Sequence, residues 1–175
     1  MMMTAEARAR AAALMGYLVD RAEKLEGRVR FQKSLYLLQQ KGASELRLFD
    51  FIYHHYGPYS PQLAGVLEDS VAAQVVSQRA ESFADEWQRF EYRAGPKFKD
   101  YADLVSQETQ ALVDRLTDVT RGAHWRTLEL AATVDFLHRE GMSQQDAMTR
   151  ALALKPACRP YQSAAEQLLS DLDLV

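Results

Sequence analysis

Apolar residues recur at helical spacing along most of the chain, and the stretches that break this rhythm are short and aromatic. Over residues 5–24 helix-favouring types dominate, and Leu14, Tyr17, Leu18 and Leu25 fall on one stripe before Glu26-Gly27 ends it. A second helix is predicted over 30–41, burying Phe31, Leu35 and Leu38, with Gly42 placed for the left-handed residue that follows a helix end. Arg30, Gln32, Lys33 and Gln39 make its polar edge. The run 51–56 has the composition of a strand but is short enough to be an irregular aromatic segment instead. Proline at 58 turns Gly57 away from helix, Ser60 is a good N-cap, and Pro61 suits a first helical turn, so a helix is predicted over 61–73.

Residues 75–79 and 89–93 are candidate strands that pair as a hairpin across the polar run around Asp85. Helix, short strand, helix and hairpin in that order are the parts of a winged helix, placed at 28–95 with the first helix beneath it. The remainder reads as helices. One spans 99–119, with Val105, Leu112, Leu116 and Val119 on a face. Another spans 125–138 and is apolar nearly all round, as expected of a helix central to the core. Ser143-Gln144-Gln145-Asp146 resembles a capping box that opens a third, stopped by Lys155-Pro156, and a last amphipathic helix begins at Pro160. The predicted fold is mainly α with a small β-hairpin: a winged-helix-like unit packed with a C-terminal helical bundle. It forms a single domain over 1–175, divided as 1–95 and 96–175.

Composition narrows the function. At 175 residues and 47% apolar, one core burying roughly 70% of the extended-chain surface is within reach. The net charge of -3 conceals a gradient, with nine Lys/Arg against five Asp/Glu over 1–48, two against seven over 49–91, and ten against twelve over 92–175. An acidic middle argues against general nucleic-acid binding, which needs a broad cationic face. The predicted recognition helix repeats the point: it offers Gln62, then Glu68 and Asp69, to a groove lined by phosphates. The hairpin adds Arg79, Arg89 and Arg93 but also Glu81, Asp85, Glu86 and Glu91. DNA is thus disfavoured as a partner, and winged helices also serve as protein-binding scaffolds. One cysteine, Cys158, excludes an internal disulfide and fits a reducing, cytoplasmic setting, and neither a signal peptide nor a membrane span is visible.

Reactive constellations are scarce, and neither cofactor nor metal is expected. No two histidines lie one helical turn apart, Cys158 has no CxxC partner, and Gly57-Pro58 and Gly95-Pro96 are turns, not phosphate cradles. His54 and His55 would point to opposite sides of an extended segment, which denies them a shared metal. Glu129 reads as a paired structural acid on the one polar edge of its helix, or as a partly buried carboxylate of perturbed proton affinity. Cys158 is either a small buried residue or half of a couple with His138. No catalytic residue is assigned.

Two features point to a partner instead. Arg28-Val29-Arg30-Phe31-Gln32-Lys33 is either a solvated helix face or, through Arg30 and Lys33 one turn apart, a pair of donors for an acidic protein surface or a phosphate. Tyr53, Tyr56 and Tyr59 are either core-edge rings with bonded hydroxyls or the lining of a shallow groove beside Arg30. Arg30, Lys33, Tyr53, Tyr56 and Tyr59 are accordingly the candidate partner-binding set. A homodimer is the commonest assembly for such a chain.

The segments Arg30-Phe31-Gln32-Lys33-Ser34-Leu35-Tyr36-Leu37-Leu38, Phe51-Ile52-Tyr53-His54-His55-Tyr56-Gly57-Pro58-Tyr59-Ser60 and Leu128-Glu129-Leu130-Ala131-Ala132-Thr133, in that order, resemble the bacterial YwgA-like proteins. These are similar to the Panacea domain of SocA-type antitoxins. The resemblance covers about 28–156, and Tyr59-Ser60 after Gly-Pro places the chain nearer the YwgA-like branch. It implies a mostly helical, non-catalytic intracellular module, often encoded beside toxins or on mobile elements. SocA-type relatives neutralise a toxin by binding it, in one style by delivering it to a protease. On this likeness Gln32, Tyr36, Phe51, Gly57, Pro58, Ser60 and Glu129 are scaffold positions.

Overall fold

The computed structural model describes residues 4–82 and 88–174. Asp85 and Glu86, which the sequence places in the hairpin loop, lie outside the described residues. The chain opens with α1 (Ala5–Arg21), capped by Thr4, whose hydroxyl accepts from the Ala7 N–H. There follow β1 (Leu25–Glu26) and α2 (Arg28–Gln40), then the hairpin strands β2 (Ile52–His54) and β3 (Gly57–Tyr59). Next come α3 (Pro61–Ala72), β4 (Val76–Ser82) and β5 (Gln88–Ala94). Four helices complete the chain: α4 (Gln107–Thr120), α5 (Trp125–Arg139), α6 (Gln144–Leu154) and α7 (Gln162–Asp171). The fold is mainly α with a small β component.

With the β2-β3 hairpin inserted between α2 and α3, the order α1, β1, α2, α3, β4, β5 and a sheet ordered β1-β5-β4 are those of a winged helix. Two expectations change. The short strand of the unit is β1, where Leu25 pairs with Tyr92 and Glu26 with Glu91. Two residues are too few for an alternating pattern to register in sequence. The unit therefore starts at α1, which is an integral helix and not an underlay.

The second change concerns 51–56, which does not continue as one strand. It reverses at His55-Tyr56, and Tyr53 pairs with Pro58 and His54 with Gly57 in a separate two-stranded sheet. Gly-Pro had signalled only a turn because neither residue favours strands. The wing strands match their predicted positions within a few residues, in the register Gln78 to Tyr92 and Ala80 to Phe90.

Helix ends follow the capping chemistry. Ser60 accepts from the Leu63 N–H with Pro61 at the start of α3, and Ser143 accepts from the Asp146 N–H while donating to its carboxylate. Gly42 takes a φ of +98° just past α2. The helix predicted over 99–119 is shorter, because two 3-10 turns (Phe98–Asp100 and Ala102–Leu104) precede the Ser106 cap of α4. Pro160 likewise lies in a 3-10 stretch (Pro156–Tyr161) before α7. α5 is buried on almost every side from Thr127 to Asp135 and packs on α2, β3, α6 and α7. One cluster of buried apolar side chains runs from Leu14 and Phe31 through Leu130 and Val134 to Leu168.

Candidate functional site

The β2-β3 hairpin is held from beneath by buried polar groups of α2 and of Lys155, the residue that follows α6. On α2, Gln32 behaves like a strand partner: its amide donates to the Ser60 carbonyl and accepts from the Ser60 N–H, both at 3.1 Å. The next residue, Lys33, donates to the Pro58 carbonyl at 2.7 Å. Just past α6, Lys155 donates to the His55 carbonyl at 2.7 Å and to Glu129 Oε1 on α5 at 2.9 Å. Gly57 has φ +89°, and a Cβ there would stand 2.3 Å from Thr133 Oγ1, so the hairpin can sit this close to α5 only with glycine. Tyr36 donates to Asp135, which also accepts from Arg139, and its ring meets Phe51 edge-on at 5.1 Å.

Two ammonium groups and one carboxylate thus share a buried site. Burial, with Lys155 nearby and Glu129 in opposition, lowers the Lys33 pKa to about 7. Cys158 lies 3.5 Å from Glu129 Oε2, and burial followed by that carboxylate pushes its thiol up to about 12. His138 is not its neighbour; that ring contacts the Met142 carbonyl.

Fixed this way, the hairpin presents apolar side chains outward. Ile52, Tyr53 and Tyr56 are 53%, 39% and 47% exposed. Tyr53 leans on Phe136 with ring centres 6.2 Å apart, and Tyr56 meets Trp125 edge-on at 6.4 Å. The Lys155 ammonium lies 5.9 Å and 6.0 Å from the two tyrosine ring centres. Tyr59 is half-buried against His54 at 5.1 Å. The imidazoles of His54 and His55 approach to 4.8 Å because the chain turns at His55, contrary to the opposite-sided placement of an extended segment. No cluster of three metal-ligating groups occurs among the described residues.

Beside Tyr56 a groove of about 570 Å³ opens between the first turn of α2 and β5, lined by Arg28, Arg30, Arg89, Phe90 and Trp125. The Arg28 guanidinium lies over Phe90, 4.2 Å from the ring centre. Arg30 is half-buried, donates to the Ala123 carbonyl, and has its pKa lowered by burial. Arg89 bridges Glu26 at 3.5 Å and Glu81 at 3.0 Å.

The five candidate partner-binding residues therefore divide. Arg30 and Tyr56 meet at the groove, and Tyr53 lies on the adjoining face. Lys33 is corrected: at 2% exposure it is a hairpin anchor closed to an outside partner. Gln32 is buried with it under the same segment, whereas Arg30, three positions earlier and about 60° round the helix, lines the groove. Phe90, Trp125 and Lys155 went unrecognised as site residues. Lys155-Pro156 read only as a helix stop, and the other two come from elements remote in sequence.

Gln62, Glu68 and Asp69 of α3 are exposed, and Asp69 pairs with Arg8. No helix among the described residues is long and apolar enough to cross a membrane. The chain matches no family model and no curated protein.

Proposed function

We propose that this chain is a non-catalytic bacterial module, acting in the cytoplasm, that binds another protein through the β2-β3 hairpin face. One observation carries the reading: Ile52, Tyr53 and Tyr56 are exposed on a hairpin whose backbone is bonded to buried Gln32, Lys33 and Lys155. Rings on a fixed backbone lose little conformational entropy on binding, and aromatic and arginine side chains dominate interface energetics. The arginines beside Tyr56 favour a partner surface with carboxylates among its apolar groups.

The YwgA and Panacea resemblance extends the proposal to an antitoxin-like or adaptor-like role, with a toxin as the partner. The test is co-expression with the product of the adjacent gene and recovery of the complex. Ile52→Asp combined with Tyr56→Asp abolishes recovery and any growth rescue, whereas Arg79→Asp on the wing leaves both intact. Retention of the partner by the hairpin variant overturns the reading.

A second reading, a DNA-binding regulator, is favoured by the winged-helix element order. Its recognition helix exposes Glu68 and Asp69, which oppose a phosphate-lined groove. Salt-dependent retardation of the chain's own upstream DNA supports that reading; no shift at low salt eliminates it.

A further inference from the structure

We infer that the groove between α2, the hairpin turn and β5 receives an acidic side chain next to an aromatic or large apolar one, both on an extended segment of the partner protein. This rests on the protein-binding reading above and specifies what is bound. The groove's volume of about 570 Å³ falls in the range of ligand pockets, about 300–1,000 Å³. The depression between α6 and α7 is larger, about 720 Å³, but Gln144, Gln145, Thr149 and Gln162 line it beside Met148 and Leu152, and its single cation, Arg159, shares it with Glu166. Of these two, the groove beside Tyr56 is the one that joins several cations to aromatic walls.

Arg28 is the residue set for the acid. It is exposed and pairs with no carboxylate among the described residues. Stacked on Phe90 and beside the Tyr92 hydroxyl, its guanidinium has further in-plane N–H groups for a two-point bond with a carboxylate. Arg30 and Arg89 add positive charge, although each already has a protein acceptor. α2 begins at Gly27 with no capping side chain and no acid in its first turn, which adds to the positive field. Tyr56, Phe90 and Trp125 supply the apolar walls.

The surroundings decide between an acidic peptide and a nucleic acid. Glu26 is part of the lining, and Glu81 and Glu91 stand on the wing strands beside it. A nucleic-acid strand brings a phosphate with every nucleotide and meets these carboxylates as well as the arginines. A peptide with one or two acids can seat them at Arg28 and Arg30 while Arg89 stays bridged to Glu26 and Glu81.

The experiment is selection of random peptides displayed on phage against the intact chain, followed by fluorescence titration of a synthetic, dye-labelled consensus peptide. The expected consensus has Asp or Glu within two positions of Trp, Phe, Tyr or Leu. Binding then weakens at least about tenfold in Arg28→Glu and in Trp125→Ala, and falls as sodium chloride rises. Arg28→Lys, which keeps the charge without the planar fork, recovers part of the loss. Unchanged circular dichroism and melting show that Arg28→Glu is folded.

A consensus without acids overturns the inference, as does equal binding to Arg28→Glu. So does tighter, Arg28-dependent binding of an oligothymidine than of any peptide. Peptides that depend on Ile52 and Tyr53 but not on Arg28 sink the groove and leave the hairpin reading standing. Retention of the native partner by the Ile52→Asp, Tyr56→Asp variant sinks both.

Discussion

Replacing Lys33 by methionine tests the buried site under the hairpin, because the substitution keeps the apolar stem and removes only the titrating group. In the folded chain the Lys33 pKa is about 7, against an ordinary value of 10.5. Burial on α2 is the main cause; Lys155 pushes the same way and Glu129 opposes. Between about pH 7 and pH 8.5 the unfolded chain keeps the Lys33 proton while the folded chain gives it up. The unfolded state then holds more protons, so stability rises with pH, by about 1.5 kcal/mol over that window. Below about pH 7 both states hold the proton and this contribution is flat.

Methionine abolishes that slope. It also leaves the Pro58 carbonyl without its 2.7 Å donor, a loss of about 1–3 kcal/mol that does not vary with pH. The measurement is urea unfolding of both proteins at several pH values from 6 to 8.5. Other titrating groups contribute to both curves and drop out of the difference. The cost of Lys33→Met should therefore grow by about 1.5 kcal/mol from pH 7 to pH 8.5. Parallel stability curves would refute the placement of a depressed ammonium under the hairpin.

Three further outcomes follow from the same region. Gly57→Ala, at φ +89° and facing Thr133 Oγ1, should lower stability by at least about 1–2 kcal/mol, with part of the loss returned by adding Thr133→Ala, as read by thermal melting. Lys155→Met leaves the buried Glu129 carboxylate without its 2.9 Å partner and should cost about 3–5 kcal/mol in urea unfolding, less when combined with Glu129→Gln. Cys158, with its thiol pushed up to about 12, should react with iodoacetamide at pH 8 far more slowly in the folded chain than in guanidinium; equal rates contradict the burial.

The helices were legible because each couples an apolar stripe to a local stop or cap, as Ser60-Pro61 and Ser143 with Asp146 do. The wing strands were legible from composition. β1 was not, since two residues carry no periodicity and pair only through partners some 65 positions away, Tyr92 and Glu91. The hairpin segment was visible as an aromatic cluster, but its reversal depends on Gly57 fitting against Thr133, a contact between distant parts of the chain.

Lys33 illustrates the same limit. Lysine in a basic run reads as surface, and only the Pro58 carbonyl beneath the hairpin explains why this one is buried. For Glu129 the sequence points to a paired acid but not to its partner, because Lys155, just past the end of α6, reads only as a helix stop.

The most direct test of the central claim is site-specific photocross-linking in the native host, with benzoylphenylalanine placed in turn at Tyr53, Tyr56 and Ala72. Tyr53 and Tyr56 lie on the hairpin face, and Ala72 is an exposed position on α3. The same protein should be captured from both hairpin positions and not from Ala72, and adding Arg28→Glu should remove it. Capture from Ala72 alone, or cross-links to DNA there, contradicts the account.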